Sequence, residues 1–588
     1  MVEYLQQLEY MEISECKCIE EIISKENIIK GLQKLIGFCR EDYNVAFPTL
    51  KILEIESCPK LKGFIHNSKS KEIPIDAVFF NNKVAFPNLE KIKITHLKNA
   101  KRIWHSKLHT NSFSMLKELT VKECDVLLNI FPPFLWGVFQ RLEKLIVIDC
   151  ASLEEVFQFQ VQELEIEETC VVGSQLRKVN LICLPSLKHV WTKYHKGNIS
   201  FESLQQVCIQ DCWHLKTLFP FSIAKGLQQL ERLYIESCGL EEIVSKNDEG
   251  SDEQEIWFAF NQLSFLTLWH LPYLTCFYPG MHRTTWSALE KLKMAGCRRI
   301  KIFGHEESQI QHSLFLIEKV IPQLEEVSFT DDCIKMISDG QYESDLFCNI
   351  KFLRISFYSD VSVVFLISFL RRFYNLESLE LCSYNFKELA SFEIDAREDK
   401  DIIITIPKVK NLRLDVVNNI SHLWKQDSPL GRICASLKCL EVWKCGNLIN
   451  AGLDFSFPKN LTTLDVFKCH EMLELITSSK VRSLACLVTM KIRECERMRE
   501  VVASDGDETS YEIVFRALKR LELHCLQSLT SFCSRNYALR FPSLEQVTLS
   551  QCPRMKNFNQ GELTTPKLQK VQLTQTDFMG RWAGDLNA

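Results

Sequence analysis

Charge of one sign, a long apolar run and a secretory leader are all missing from this sequence, and each absence narrows what the chain does. Its 70 lysines and arginines nearly balance 75 aspartates and glutamates, for a net charge of −5. That balance argues against a nucleic-acid footprint or a charged disordered tail. The longest mostly apolar run, Val361 to Leu370, has about half of the roughly 20 residues a membrane-spanning helix needs, so it reads as core and no membrane span is expected. Met1 to Tyr10 has neither the basic nor the apolar region of a signal peptide, and the expected location is cytoplasmic. The sequons at Asn198, Asn419 and Asn460 are then incidental.

The motifs of catalysis are missing too. Cys16 and Cys18 come closest to a metal-ligand pair, but zinc sites require four ligands in recognisable pairs. His105 with His109, and His189 with His195, have no partner motif. A Gly-x-Ser-x-Gly elbow, a paired-carboxylate arrangement and a Gly-x-x-x-x-Gly-Lys-Ser/Thr phosphate loop are all absent. The chain is therefore expected not to be an enzyme, with no catalytic, cofactor-binding or metal-binding residues.

What is present is a repeat. Leu-x-x-Leu-x-(Ile/Val/Leu)-x-x-Cys-x-x-Leu begins cleanly at Leu116, Leu142 and Leu204, the mark of a leucine-rich-repeat solenoid. The expected fold is an α/β horseshoe, with a parallel β-sheet on the concave face and irregular loops and short helices on the convex face. Taking the first leucine-type residue as marker places about 20 copies. They start at Leu8, Leu50, Leu89, Leu116, Leu142, Leu176, Leu204, Leu230, Leu263, Leu289, Leu324, Ile350, Leu376, Val409, Leu437, Leu461, Leu487, Leu518, Leu544 and Leu568. Because each unit buries its apolar face against its neighbours, the array escapes the size limit of a single core. A single solenoid over residues 1–588 is expected, least regular at 305–408, where the cysteine is shifted (Cys333) or absent. The insertions Ser245 to Glu255 and Ala503 to Glu512 are acidic and polar, and read as solvated loops.

Cysteine numbers 25, yet much of it sits at one repeat offset: Cys16, Cys58, Cys124, Cys150, Cys212, Cys238, Cys297, Cys445, Cys469, Cys495 and Cys552. Just past the strand, a small side chain with a donor can turn inward and bond carbonyls of the turn. Free buried thiols suit a reducing compartment. A variant copy starts at Leu89, Leu176 and Leu263, with Leu97, Leu184 and Leu271 in place of cysteine. Its aromatic tails, Trp104, Trp191, Phe277 with Tyr278 and, further along, Trp424, read as core filling behind the strand.

Strand alternation turns Leu119 and Val121 inward and leaves Glu118, Thr120 and Lys122 on the concave face. The same rule brings Tyr234, Trp269, Trp443 and Phe467 to that face, rings of a kind that anchors interfaces. With Lys491, Arg493 and Arg520 they are the candidate partner contacts, and Lys291 and Lys293 add further basic positions. The competing expectation is that each ring packs along the stack and each charge is merely solvated.

Two stretches go beyond a generic repeat. Leu218-Phe219-Pro220-Phe221-Ser222-Ile223-Ala224-Lys225-Gly226-Leu227, followed by Cys238-Gly239-Leu240-Glu241-Glu242-Ile243-Val244, is one; Leu268-Trp269-His270-Leu271-Pro272-Tyr273-Leu274 is the other. Both resemble the C-terminal repeats of plant coiled-coil nucleotide-binding leucine-rich-repeat (NLR) immune receptors. The resemblance implies protein-protein recognition in the defense response, with pathogen effectors or modified host proteins as partners. It also implies restraint of a nucleotide-switch module, with ATP or ADP bound elsewhere. Neither that module nor a coiled-coil domain is found in this chain, so no cofactor is expected in it. The alternatives are a leucine-rich-repeat substrate adaptor of a ubiquitin ligase, whose F-box and Leu-Thr-Asp-x-Gly-Leu-like tail are not seen, or a truncated scaffold without independent activity.

Overall fold

The structure, a computed structural model, describes all residues except 1–6, 15–38, 41–44, 59–60, 62, 67–77, 110–111, 133–134, 159–171, 193–198, 247–255, 281, 305–312, 317–320, 340–346, 359–362, 384–407, 418–435, 449–458, 505–511, 573–585 and 587–588. Every marker residue is followed two positions later by a strand. Leu116 precedes Glu118–Lys122 and Leu437 precedes Cys439–Trp443. The irregular stretch obeys the same rule, since Leu324, Ile350 and Leu376 precede Glu326–Thr330, Phe352–Phe357 and Ser378–Ser383. The fold is an α/β leucine-rich-repeat solenoid built on parallel strands.

The chain forms two compact units, residues 1–324 and 325–588. In the first, parallel strands run in chain order from Tyr10–Ser14 to Lys291–Ala295; in the second, from Glu326–Thr330 to Lys570–Gln572. Pairing is in strict register: Leu119 lies opposite Leu145, and Val121 opposite Val147. Alternation follows the expected pattern, with Leu119 and Val121 fully buried and Glu118, Thr120 and Lys122 half-buried. Each such leucine or valine contributes roughly 1.5–3 kcal/mol of apolar burial, and much of the surface that covers it belongs to the neighbouring repeat.

The turn after the strand is the most regular feature. Its first residue adopts positive φ in copy after copy, as at Glu123 (52°), Asp149 (54°), Asp211 (53°), Val416 (56°), Lys444 (52°) and Glu494 (54°). This left-handed region favours glycine, yet glycine fills it at Gly296 alone among these turns in the described residues. The conformation is held because the amide of this residue donates sideways to the last carbonyl of the next strand. Glu123 N donates to Ile148 O at 2.9 Å, and Lys444 N to Phe467 O at 2.7 Å. Without that turn the lateral donor would point elsewhere.

Cysteine closes the turn as the sequence suggests. Cys16 lies outside the described residues, but each of the other ten places its Sγ by the carbonyl two residues back. Examples are Cys212 on Gln210 O at 3.2 Å and Cys238 on Glu236 O at 3.1 Å. Several also reach the preceding repeat, as Cys469 does to Val442 O at 3.5 Å. Where copies stack, thiols meet. A bond to Cys469, with burial, pushes Cys445 far above the ordinary thiol range, and a bond to Cys238 does the same for Cys212. Burial first, and neighbouring carboxylates after it, push Cys208, Cys382 and Cys439 up to about 11. Such thiols stay neutral and unreactive at physiological pH.

Behind the strands lies an aromatic layer. Trp104, Trp191, Phe277 and Tyr278 are buried in it as expected, while Trp424 lies outside the described residues. Phe131 stacks on Phe157 at 5.2 Å, and Phe157 on Trp191 at 5.9 Å. These rings sit on short parallel strands of their own, including Asn129–Phe131, Glu155–Phe157 and His189–Trp191. The far side of the core thus carries a second sheet in addition to loops and short helices. The apolar run from Val361 becomes the helix Val363–Leu370, which buries Leu366, Phe369 and Leu370. Most of the two acidic insertions lies outside the described residues.

Two outcomes follow from this packing. Val416 is β-branched at φ 56°, so Val416→Gly should stabilise the chain by about 1 kcal/mol, whereas Leu414→Ala next to it should cost about 2–5 kcal/mol; urea unfolding of the two variants measures both. Thiols whose folded pKa is raised give stability fully present below the ordinary thiol value of 9.0 and lost as pH climbs towards about 11. The melting temperature should therefore hold from pH 7 to about 8.5 and fall above pH 9, and a flat profile through pH 11 would refute the neutral-thiol ladder.

Candidate functional site

The outward strand residues form three rows along each unit, and the candidate contacts occupy all three. In the first unit Tyr234 stands in the middle row between Cys208 and Thr267. Its hydroxyl donates to Glu236 Oε2. Burial, reinforced by that carboxylate, pushes Tyr234 up to about 12, so it remains a donor at neutral pH. Trp269 ends its strand between Glu236 and Ala295 and is half-buried.

In the second unit the last row reads Asp415, Trp443, Phe467 and Arg493 on successive strands. Trp443 and Phe467 meet edge to face at 5.6 Å. The Arg413 guanidinium lies 4.0 Å from the Trp443 ring centre, and that of Arg493 lies 5.2 Å from that of Phe467. Packing along the stack therefore does occur for these two rings, but it leaves them half-buried. Lys491 occupies the middle row between Asp465 and Glu522, and the exposed Arg520 opens its strand between Thr489 and Gln546. The structure thus unites Trp443, Phe467 and Arg493 in one row, with Lys491 and Arg520 on adjoining strands. Tyr234 and Trp269 belong to the other unit.

Sequence reasoning missed what holds these side chains still. The middle row of the second unit carries charges of both signs on successive strands: Arg354, Glu380, Arg413, Glu441, Asp465, Lys491. Glu380, only 5% exposed, lies 3.3 Å from Arg354 Nη1 and 3.8 Å from Arg413 Nη1, and Arg413 also binds Glu441. Arg493 Nη2 donates to both oxygens of Asp465, at 2.9 and 2.7 Å. Buried carboxylates hold the arginines, and the arginines flank the rings. The sequence places these charges at one repeat offset, but not which of them pair.

Glu380, Cys382 and Asp415 have ligand atoms within 4.8 Å of one another. Two arginines already neutralise Glu380, and burial pushes the Cys382 thiol up to about 11, so this cluster serves as an arginine acceptor rather than a cation site. His524 Nδ1 lies 2.6 Å from Ser550 Oγ, but no carboxylate among the described residues orients the ring, and nucleophile activation needs such a third group.

A family model described as plant disease resistance protein RPS2-like, leucine-rich repeats, matches residues 88–239, 323–457 and 452–565. The chain belongs to this family. A probable disease resistance protein of Arabidopsis thaliana is 25% identical over 158 residues, 27% of this chain. The matched stretch spans 16% of the length of that curated relative. Among solved structures, the crystal structure of a TLR13–ssRNA13 complex is similar at 12% identity and a TM-score of 0.26, over 87% of this chain and 80% of that one. The segments matched to the RPS2-like repeats include Tyr234, Trp443, Phe467, Lys491, Arg493 and Arg520, and leave out Trp269.

In this RPS2-like repeat region, Arg493→Ala would strand Asp465, which is 8% exposed. The loss should be about 2 kcal/mol, and Asp465→Asn added to it should restore part. A double-mutant cycle by urea unfolding checks the coupling.

Proposed function

We propose that this chain is the protein-recognition region of an intracellular plant immune receptor. In this reading the two units make up a single solenoid of about 20 repeats. Its inner face senses pathogen effectors or modified host proteins, and the repeats restrain a nucleotide-switch module carried by a longer receptor. The receptor acts in the cytoplasm, and ATP or ADP binds to the switch module. The observation that carries the reading is the row Trp443, Phe467, Arg493, in which large rings and guanidinium groups are half-exposed yet fixed by buried carboxylates. Rings and arginines held in advance lose little freedom on binding, and such groups dominate interface energetics. Tyr234, Trp269, Lys491 and Arg520 are the further contacts. Family membership supplies the link to disease resistance.

The test exchanges the outward residues of the copies from Leu437 to Leu544 with those of a related receptor of different specificity, in the full receptor. The expected result is altered elicitor perception in leaf tissue. Unchanged specificity across all such exchanges would end the reading.

A further inference from the structure

In the copies that start at Leu230 and Leu263, the layer behind the inner strands includes a sheet of its own, a parallel pair formed by Ile256–Ala259 and His282–Thr285. Its register sets Ile256 opposite His282 and Phe258 opposite Thr284. His282 is only 4% exposed, and its neighbours are rings. The ring centres of Tyr278, Phe277 and Phe258 lie 5.6, 5.8 and 6.1 Å from its own. Phe221 closes over Tyr278 and Phe258, at 5.8 and 5.9 Å. His282 Nδ1 lies 2.9 Å from Gly280 O, and because a carbonyl only accepts, Nδ1 carries the hydrogen of the neutral ring. Glycine permits that approach, since a Cβ on residue 280 would stand 2.6 Å from Tyr278 Cε1.

A second proton on this ring would bring a full charge among aromatic side chains, which is costly. Burial already holds His282 below the ordinary histidine value of 6.5, and the Gly280 carbonyl offsets only part of that. The charged and titratable groups of the surrounding elements are engaged elsewhere. Arg283, next along the strand, lies 5.5 Å from the ring centre of the exposed Trp257, and Lys225 lies 4.7 Å from that of Phe221. Glu242 pairs across with Cys276, whose thiol burial pushes up. Tyr278 is the remaining titratable group, and it meets the imidazole through its ring. We propose that His282 is an acid-sensitive latch: when it takes up a second proton, the pair Ile256–Ala259 and His282–Thr285 parts from the aromatic layer and uncovers Phe258, Phe277 and Tyr278. A histidine buried in neutral form contributes stability that is full above about pH 6.5 and lost as pH falls below it, because the opened segment takes up the proton more readily than the closed one. The loss is local. Phe265–Trp269 is paired on both sides within the long inner sheet, whereas the outer strands form a sheet of two, and thinly supported segments open first.

The test is hydrogen exchange on the full chain at pH 7 and pH 5, corrected for the intrinsic pH dependence of exchange, comparing the outer strands with the inner strand Phe265–Trp269. Protection of the outer strands should fall by about tenfold or more relative to the inner strand on going to pH 5. In His282→Phe, whose ring suits the aromatic layer and does not titrate, the relative fall should be less than about twofold. If a thermal melt shows that this variant unfolds, His282→Gln carries the same expectation, since its amide can donate to Gly280 O. A relative fall of equal size in the variant would overturn the proposal, because the proton would then act elsewhere. Equal loss of protection in the inner strand would overturn its locality, and outer strands as protected at pH 5 as at pH 7 would show that there is no latch.

Discussion

The structure depends on one backbone interaction, the sideways hydrogen bond from the left-handed residue after each strand to the last carbonyl of the next strand. It occurs at Glu123, Asp149, Asp211, Lys444 and Glu494, with N···O distances of 2.7–3.0 Å. The bond aligns strand ends, and strand alignment fixes which side chains are buried. A slip of one residue would bring leucines to the outer face and lysines into the core. Cysteine follows from the same turn, because its Sγ reaches the strand-end carbonyl that also accepts the sideways amide, as Cys469 does at Phe467 O, together with Val442 O of the preceding repeat. Leucine replaces it at Leu97, Leu184 and Leu271, which are buried without a donor.

The outward face is a consequence of that register. Outward residues three strands apart cannot adjust independently, since each sits on a backbone bonded to both neighbours. Rings and charges therefore hold fixed separations. In the second unit the fixed rows became a self-satisfied ladder, Arg413 between Glu380 and Glu441 and Arg493 on Asp465. In the first, Lys178 and Arg232 have no ion pair among the described residues. A repeat that is uniform in its buried residues can thus be unlike itself along its surface.

Much of the fold was legible in the sequence because the buried offsets repeat: Leu116, Leu119 and Val121 announce their strand, and so does the less regular set at Leu324. The positive φ was not legible, since Glu123, Asp149, Val416 and Lys444 share no residue type; the amide, not the side chain, performs the role. The second sheet behind the aromatic layer was hidden for a similar reason, as Asn129–Phe131 and Glu155–Phe157 are too short to show alternation. Of the candidate site, the outward direction of Trp443 and Phe467 followed from period two, but their cradle of arginines did not. That pairing requires knowing which strands are neighbours at each offset.

Residue-resolved hydrogen exchange on the full chain tests the central claim most directly. The amides of Glu123, Asp149, Lys444 and Glu494 should be protected as strongly as those of the adjoining strands, although they lie in turns. Exchange at the rate of an open loop, with the strands still protected, would contradict the account.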